Sequence, residues 1–351
     1  MINNSIIVLG ENDMAELTTR SQKNGRTVLR EVVPLDTPFV FGVFVGDICN
    51  FKCKYCIQSA PEETEEKKSL IRSFLDMDTF KKIADSAKKF PSRIKTVMIS
   101  SIGEPLLNPN VPDMLAYMKK IDLADNYEIV TNASRLSKEL SKALIDSGLT
   151  RLCISMQGIT KEKYKEICGY DLDFEELYNN IKFFYDYGRG KCKLHIKTVD
   201  ISLDEGEDKK FLEIFSPICD TIFIDKVMPV FKGVDYNGIV KDVDKFTNDK
   251  YKKAENVCCS PIFYRLYVLA DGTIAPCCEN PQPITFGNIK NITLQEAWNG
   301  AIRREFLIQH LEHRRCENEI CAQCVTPLIR TFEEDVLDGY EDEIKERVSK
   351  K

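Results

Sequence analysis

The sequence is poor in several features that define common classes of protein. Only three of its 351 residues are histidine, so a metal site built from several imidazoles is not expected. No apolar run approaches the ~20 residues that a membrane-spanning helix needs, and no early segment joins a basic stretch to an apolar one as secretory signals do. The net charge of −6 gives no general attraction to nucleic acid. We therefore expect a protein that binds neither membranes nor nucleic acids.

Cysteine, in contrast, is abundant, with 14 residues in the chain. In a chain without a secretion signal, cysteines indicate a reducing compartment and bind metals more often than they form disulfides. A hydrophobic content of 43% and a charged content of 30% are typical of a globular protein. The length is that of about two domains. These features predict a cytoplasmic protein that uses its thiols to bind metal.

Three of the cysteines fall within eight residues in a C-x₃-C-x₂-C pattern: Cys49, Cys53 and Cys56. Three thiolates on one short loop can each bind one iron of a [4Fe–4S] cube. The fourth iron is then left without a protein ligand, although such clusters usually have four cysteine ligands. A structural zinc site would need a fourth ligand close by, and the next cysteine is Cys153. The pattern therefore favours an iron–sulfur cluster with one open iron.

Strand-like and helical segments alternate from residue 38 onwards, which predicts βαβ units and a parallel sheet. The predicted strands cover 38–45, 94–100, 127–131, 151–156, 193–199 and 221–225. The predicted helices cover about 77–89, 111–120, 137–147, 173–187 and 207–216, with Asp78 and Thr160 as N-caps. Six strands are too few for a closed eight-stranded barrel.

Polar residues stand at the carboxyl ends of these strands, where ligands bind in parallel α/β sheets. The strand-end candidates are Gly103, Glu104, Pro105, Asn132, Ser155, Lys197 and Asp225. Glu104 offers a charged hydrogen-bond acceptor. Asn132 and Ser155 also suit ordinary turns. Lys197 alternates with apolar neighbours and faces either the barrel lumen or the helices. Lys197 and Asp225 are the candidates for handling a substrate.

The cysteine loop has an aromatic residue, Tyr55, before its last cysteine, and a G-E-P sequence follows the second strand. Together these features resemble the signature of the radical SAM superfamily. The resemblance implies an α/β fold with an open (β/α)₆ partial barrel. In that family the open iron chelates S-adenosylmethionine, and one electron cleaves the cofactor to a deoxyadenosyl radical that abstracts hydrogen from a C–H bond. An external electron donor such as flavodoxin or ferredoxin is implied as well.

The same resemblance implies particular site residues. Contacts to the cofactor are expected from Tyr55, Gly103, Glu104, Pro105, Asn132 and Ser155.

A second group of cysteines lies between residues 258 and 330. Two pairs, Cys258–Cys259 and Cys277–Cys278, flank a predicted hairpin with strands at 264–269 and 273–275 and a turn at Asp271-Gly272. A predicted helix at about 294–313, with Thr293 and Glu296 as a capping box, leads to Cys316, Cys321 and Cys324. A zinc ribbon would present a similar pattern.

This region resembles the auxiliary-cluster domain called SPASM, in its shortened "twitch" form. The resemblance implies one auxiliary [4Fe–4S] cluster, in addition to the one that binds S-adenosylmethionine. Its expected ligands are Cys259, Cys277, Cys321 and Cys324, with Cys258, Cys278 and Cys316 as alternates.

The predicted domain organisation follows from these assignments. It comprises an N-terminal extension (1–37), a radical SAM core (38–225), a connector (226–257), the auxiliary-cluster domain (258–330) and a charged C-terminal helix (331–351).

The interval from Cys259 to Cys277 and the terminal C-x₂-C pair are similar to those of the twitch-bearing dehydrogenases that oxidise amino-cyclitols such as 2-deoxy-scyllo-inosamine. This similarity favours two-electron oxidation of a small sugar-like or cyclitol-like substrate, with the auxiliary cluster as electron acceptor. Two other enzymatic functions stay open. One is radical epimerisation, with Cys168 as the hydrogen donor, although a buried cysteine is more often a packing residue. The other is modification of a precursor peptide. Enzymes of that kind often carry an N-terminal domain that recognises the peptide, and the 37 residues before the first strand are too few to fold into one. A protein that merely carries electrons would have no need of the G-E-P sequence.

Overall fold

A computed structural model describes residues 15–17, 26–100, 102–231, 233–240, 258–279, 281–324, 326–329 and 332–351. Parts of the predicted N-terminal extension and connector lie outside these residues, as does Ser101, which precedes the G-E-P sequence by two positions.

One sheet of ten strands runs through the described chain, in the order β1-β7-β6-β5-β4-β3-β2-β8-β9-β10. The strands are Glu16–Leu17 (β1), Val40–Phe44 (β2), Ile94–Ser100 (β3), Ala124–Thr131 (β4), Arg151–Ser155 (β5), Lys193–Val199 (β6), Thr221–Asp225 (β7), Arg265–Val268 (β8), Thr273–Ala275 (β9) and Gly287–Asn288 (β10). Every pair from β1 to β8 is parallel, and β9 and β10 add antiparallel pairs. The prediction of a parallel α/β sheet followed by a cysteine-rich hairpin is confirmed.

The connections between the parallel strands are mainly helical. The helices are Leu29–Val32, Glu65–Lys68, Met77–Lys88, Val111–Lys120, Lys138–Asp146, Lys161–Cys168, Phe174–Gly188, Glu207–Phe215, Pro261–Tyr264, Leu294–Asn299, Ala301–Leu311, Glu319–Gln323, Thr326–Ile329 and Glu341–Lys350. Among the described helices, none has the length and apolar character needed to cross a membrane.

Two of the predicted helix boundaries test the capping rules. Thr160 caps Lys161–Cys168 as predicted, because its side chain accepts a hydrogen bond from the Lys163 amide. The prediction of Asp78 as a cap is wrong. Asp76 takes that role two residues earlier, where its carboxylate accepts from the Thr79 amide at 2.8 Å.

The two faces of the parallel sheet have different chemistry. On β5 and β6, Leu152, Ile154 and Ile196 belong to the main hydrophobic core with the helices. Successive residues of a strand point to opposite faces, so Ser155 and its register partner Lys197 lie on the other face. That second face leads to the polar strand ends, where the candidate site lies.

The cysteine-rich region continues the sheet directly, because β8 pairs with β2. Gly42 of β2 makes room for the Tyr267 ring of β8: a Cβ atom at residue 42 would lie 2.1 Å from the Tyr267 ring. The predicted hairpin is present, with Val268 opposite Ile274. The hairpin therefore places the second cysteine group against the edge of the barrel strands.

The prediction of one helix over 294–313 is wrong, because the chain forms two helices that meet at Gly300. The backbone of Gly300 is extended, and a Cβ atom there would lie 2.7 Å from the Glu296 carbonyl oxygen. The capping box of Thr293 and Glu296 is present as predicted.

The C-terminal segment is docked on the body of the protein. Leu337, Ile344 and Val348 are all buried, and Arg347 donates to the Arg30 carbonyl oxygen at 2.5 Å.

Candidate active site and auxiliary metal centre

The first cysteine loop follows β2 and is tied down on two sides. Before it, the Glu104 amide donates to the Ile48 carbonyl at 2.9 Å. Within it, the Lys52 and Lys54 amides each donate at 2.9 Å to carbonyl oxygens at the end of the helix Lys161–Cys168. The loop is therefore held by the G-E-P segment on one side and by that helix on the other.

Gly103 explains why the G-E-P segment and the cysteine loop form one unit. A Cβ atom at Gly103 would lie 2.1 Å from the Ile48 carbonyl oxygen, so only glycine allows this approach. The Gln58 side chain adds a further link, donating to the Asp47 carbonyl at 2.9 Å and to the Ile102 carbonyl at 3.2 Å. Pro105 is buried and opens the short helix Pro105–Leu107.

The three thiols of the loop are largely enclosed. Cys53 is buried, and Cys49 and Cys56 are half-buried. Burial raises the pKa of Cys49 to about 12. The pKa of Cys53 is raised by a hydrogen bond with Cys168 and by burial. Without metal these thiols keep their protons, and metal binding must release them.

Glu104 is 2% exposed and already has three hydrogen-bond donors. One carboxylate oxygen accepts from the Leu106 amide at 2.9 Å and from the Thr131 hydroxyl, and the other accepts from the Asn132 amide at 2.7 Å. A carboxylate has about four acceptor positions. About one position is therefore left for a ligand. The three hydrogen bonds of Glu104 connect the end of β3 to the end of β4.

Asn132 lies beside the first cysteine of the loop. Its side-chain nitrogen is 3.1 Å from the Asn50 side-chain oxygen and 4.0 Å from the sulfur of Cys49. Its side-chain oxygen accepts from the Ser134 amide at 2.9 Å. The end of β4 is thus in contact with the cysteine loop, as predicted for a polar residue at the carboxyl end of a parallel strand.

The end of β5 reaches the same loop through Tyr55. The Tyr55 hydroxyl donates to the side-chain oxygen of Gln157 at 2.5 Å, and the Gln157 nitrogen donates to the Ser155 carbonyl at 3.2 Å. Gln157 is 3% exposed. Sequence reasoning missed this residue, although it stands two positions beyond Ser155 at a strand end.

The two substrate-handling candidates lie on neighbouring strands. Lys197 is half-buried on the polar face, in register with Ser155 and Phe223. Asp225 is half-buried at the end of β7, where its carboxylate accepts from the Lys226 amide at 2.9 Å.

Cys168, in contrast, lies behind the cysteine loop. It is the last residue of the helix Lys161–Cys168, is 1% exposed, and donates its thiol hydrogen to the Tyr164 carbonyl at 2.9 Å.

The described part of the connector covers the cysteine loop from outside, which sequence reasoning also missed. Val227, Val234 and Tyr236 form a buried cluster with Ile57. The Tyr236 hydroxyl donates to the Tyr55 carbonyl at 3.2 Å. This segment is therefore a wall of the site rather than only a link between domains.

The second cysteine group lines one pocket with about 500 Å³ of empty space, counting its opening to solvent. The thiols that line it are Cys259, Cys277, Cys278, Cys321 and Cys324. Two of the alternates do not line the pocket. Cys258 is buried elsewhere, with its amide donating to Asp338 at 3.1 Å, and Cys316 is exposed.

The pocket also carries charged groups that sequence reasoning did not assign to it. Arg265 and Arg315 both line it. Arg315 is 3% exposed and donates to the Cys324 carbonyl oxygen at 3.4 Å. Glu279 also lines the pocket and accepts from the Cys324 thiol at 3.2 Å. Burial raises the pKa of Cys259 to about 12, while the nearby Arg315 and Arg265 act in the opposite direction.

The spacing of the sulfur atoms in both cysteine groups suits an iron–sulfur cluster better than a single zinc ion. Zn–S bonds of about 2.3 Å in tetrahedral geometry place neighbouring sulfurs about 3.8 Å apart. Among the residues that the structure describes, no three cysteine sulfurs lie within 4.8 Å of one another. A cubane needs wider spacing, because each thiolate binds a different iron. The donor sets, three thiols in one site and at least four in the other, therefore suit iron–sulfur clusters.

Family comparisons agree with this geometry. The profile of the radical SAM superfamily matches residues 43–214, and that of the SPASM iron–sulfur cluster-binding domain matches residues 258–325. This chain is a radical SAM enzyme with a SPASM domain. Its cofactors are S-adenosylmethionine and iron–sulfur clusters.

Individual relatives of the radical SAM enzyme are distant. The tungsten-containing aldehyde ferredoxin oxidoreductase cofactor-modifying protein of Pyrococcus furiosus is 23% identical over 71% of this chain and 78% of that protein. The structure of BtrN in complex with AdoMet and 2-DOIA aligns with a TM-score of 0.53 at 18% identity, over 84% of this chain and 96% of BtrN. Streptococcus suis SuiB bound to S-adenosylmethionine gives 0.57 at 14% identity, over 88% and 78%. At these identities the solved structures share the fold alone.

Proposed function

We propose that this radical SAM enzyme oxidises a small polar substrate, of the sugar or cyclitol type, by two electrons. The observation that carries the proposal is the second pocket, lined by Cys259, Cys277, Cys321 and Cys324. Four protein ligands would close an auxiliary cluster to substrate, so that its remaining use is to accept or pass on an electron.

The first site would bind the cofactor through residues from four elements. Cys49, Cys53 and Cys56 would hold a cluster with one open iron. When bound there, S-adenosylmethionine on a reduced cluster supplies hydrogen-atom abstraction from an unactivated C–H bond. The exposed parts of Asn132 and Ser155 would contact the polar groups of the cofactor.

The G-E-P segment, Gly103 to Pro105, would act chiefly by holding the neighbouring backbone in place. The Glu104 carboxylate holds the ends of β3 and β4 with three hydrogen bonds, and Gly103 sets the approach to Ile48. Backbone carbonyls of this segment, together with the last acceptor position on Glu104, would then receive the ammonium group of the cofactor.

Lys197 and Asp225 would complete the site from β6 and β7. Lys197 would place a positive charge near the cofactor carboxylate, and the two opposite charges would pair. Asp225 would accept the hydroxyl proton of the substrate. Loss of a hydrogen atom, a proton and an electron would convert a carbinol to a carbonyl, which balances the two-electron oxidation. Asp225 would take the proton, and the bound cofactor and the auxiliary cluster would supply the acceptors for the hydrogen atom and the electron. An external carrier such as flavodoxin or ferredoxin would supply the electron that starts each turnover.

Epimerisation is the second candidate, because it needs a thiol that returns a hydrogen atom. Cys168 is the candidate from the sequence, yet its thiol is buried behind the cysteine loop and donates to the Tyr164 carbonyl. This placement supports a packing role and favours oxidation.

Modification of a peptide is the third candidate. SuiB has also been solved bound to its precursor peptide SuiA, whereas BtrN has been solved with 2-DOIA. Both share only the fold with this chain, so the preference for a small substrate comes from the sequence resemblance to the twitch-bearing dehydrogenases.

Turnover in heavy water separates oxidation from epimerisation. Anaerobically reconstituted enzyme is given S-adenosylmethionine, dithionite and a panel of amino-cyclitols and sugars, and the products are analysed by mass spectrometry. Oxidation predicts deoxyadenosine together with a product lighter by two hydrogen atoms and free of carbon-bound deuterium. Cys168→Ala should give the same product. A product of unchanged composition that carries one carbon-bound deuterium, and that Cys168→Ala cannot make, would show an epimerase instead.

A further inference from the structure

The auxiliary pocket contains a buried imidazole with no visible partner. His310 lies on the helix Ala301–Leu311 and is 1% exposed. Within the described part of the chain, neither of its ring nitrogens has a hydrogen-bond partner. Leaving such a group unsatisfied is costly, at about 1–3 kcal/mol, and a native protein rarely does so without a reason.

The position of His310 indicates what its partner is. The ring lines the same pocket as Cys259, Cys277, Cys321 and Cys324. It packs edge-on against Phe306, with ring centroids 4.7 Å apart and an angle of 67° between the planes. Packing therefore holds the ring at the wall of a pocket whose other lining groups are mainly thiols.

We propose that His310 donates an N–H hydrogen bond to a sulfur atom of the auxiliary cluster. Every protonation state of imidazole found in proteins carries at least one N–H group, so the inference does not depend on the charge of the ring. Five thiols already line the pocket, which leaves no vacancy on the cluster for the imidazole as a ligand. This inference rests on the proposed function, because it requires a cluster in that pocket.

The expected consequence is a higher reduction potential. Reduction adds negative charge to the cluster, and hydrogen bonds to its sulfur atoms stabilise that charge. Arg265 and Arg315, which line the same pocket, would act in the same direction. His310 is thus a positioning and tuning residue that makes the auxiliary cluster a better electron acceptor.

The test is a redox titration followed by EPR in full-length protein that carries Cys49, Cys53 and Cys56 changed to alanine, so that the auxiliary cluster alone contributes. His310→Leu should shift the potential to more negative values. His310→Gln keeps an N–H donor and should restore part of the difference. His313→Leu is the matched control, because the His313 side chain is 39% exposed and does not line the pocket, and it should leave the potential unchanged.

A second measurement needs no change at His310. Pulsed EPR on protein labelled with ¹⁵N-histidine should show one weak nitrogen coupling to the reduced auxiliary cluster, and His310→Leu should remove it. No coupling, or the strong coupling of a nitrogen bound to iron, would overturn the hydrogen-bond assignment. An unshifted potential at normal iron content would overturn the inference about His310 alone. A triple-cysteine variant that holds no iron would overturn the proposed function itself.

Discussion

The two thiol sites of this enzyme are built in opposite ways. Cys49, Cys53 and Cys56 lie on one short loop, whereas the thiols of the auxiliary pocket come from three separate segments. The groups around them also differ. The first site is surrounded by acceptors such as Glu104 and the carbonyl oxygens near Gly103. The second is lined by two guanidinium groups, Arg265 and Arg315, against one carboxylate, Glu279.

This difference in charge fits the different roles that we propose for the two sites. S-adenosylmethionine presents an ammonium and a sulfonium, so acceptor groups suit a site that binds it. An electron-accepting cluster gains negative charge on reduction, so guanidinium groups suit that site. We therefore interpret the first site as open and cofactor-binding, and the second as closed and electron-accepting.

The largest effect should come from removing the first set of thiols. Changing Cys49, Cys53 and Cys56 together to alanine should abolish the formation of deoxyadenosine from S-adenosylmethionine and reduce the iron content by half. Chromatography of the products and iron analysis test this directly. Cofactor cleavage that survives in the triple variant would place the cofactor-binding cluster elsewhere.

Removing the second set should separate cleavage from oxidation. With Cys259, Cys277, Cys321 and Cys324 changed to alanine, the protein should again lose half its iron but still cleave S-adenosylmethionine. Oxidised product should disappear, because the acceptor for the second electron is gone. Equal loss of both activities would mean that the two sites cannot be treated as independent.

A smaller but specific effect is expected at Gly103. Its replacement by alanine would put a Cβ atom 2.1 Å from the Ile48 carbonyl oxygen, which must push the cysteine loop away from the G-E-P segment. We expect less bound cluster in the first site and slower cofactor cleavage, with the auxiliary cluster retained. Gly188→Ala is the matched control, because its Cβ atom would meet nothing closer than 3.3 Å.

Much of the first site could be predicted because its signals are local. Cysteine spacing and strand alternation can be read within short windows of sequence, so the six core strands appear close to their predicted positions. Gln157 and Tyr236 were missed because they touch Tyr55 only through contacts between distant parts of the chain. His310 was missed for the same reason: it meets the cysteines only after the hairpin and the helices have packed.

Helix boundaries were predicted less well where two local signals competed. Asp76 and Asp78 are both acceptable N-caps by type, and only the hydrogen bond to the Thr79 amide distinguishes them. Gly300 interrupts an otherwise periodic helical pattern, because the backbone there is extended and lies so close to the Glu296 carbonyl oxygen that a Cβ atom would clash with it.

The smallest predicted effect is the pH dependence of the free energy of unfolding that comes from His195, one of two buried imidazoles. His195, on the polar face of the sheet, has the Thr221 hydroxyl 2.5 Å from its ring nitrogen, whereas His310 has no partner among the described residues. Burial lowers the pKa of His195 to about 4, against about 6.5 in an unfolded chain. As the pH falls from 6.5 towards 4, the unfolded state gains a proton that the folded state does not. Stability should therefore decrease, by at most about 1.4 kcal/mol per pH unit.

Urea unfolding of the apoprotein between pH 7 and pH 5 tests this effect. The His195→Gln variant should lose less stability than the parent over that range. An unchanged pH dependence in His195→Gln would mean that the pKa of His195 is the same in the folded and unfolded states.

The most direct test of the central difference between the two sites is the response of each cluster to S-adenosylmethionine. EPR spectra of the reduced protein are recorded with and without the cofactor in two full-length variants. One lacks Cys49, Cys53 and Cys56, and the other lacks Cys259, Cys277, Cys321 and Cys324. An open first site and a closed second site predict that the cofactor changes the spectrum only when the first three cysteines are present. A cofactor-dependent change in the variant without Cys49, Cys53 and Cys56 would contradict the assignment of the second site as closed.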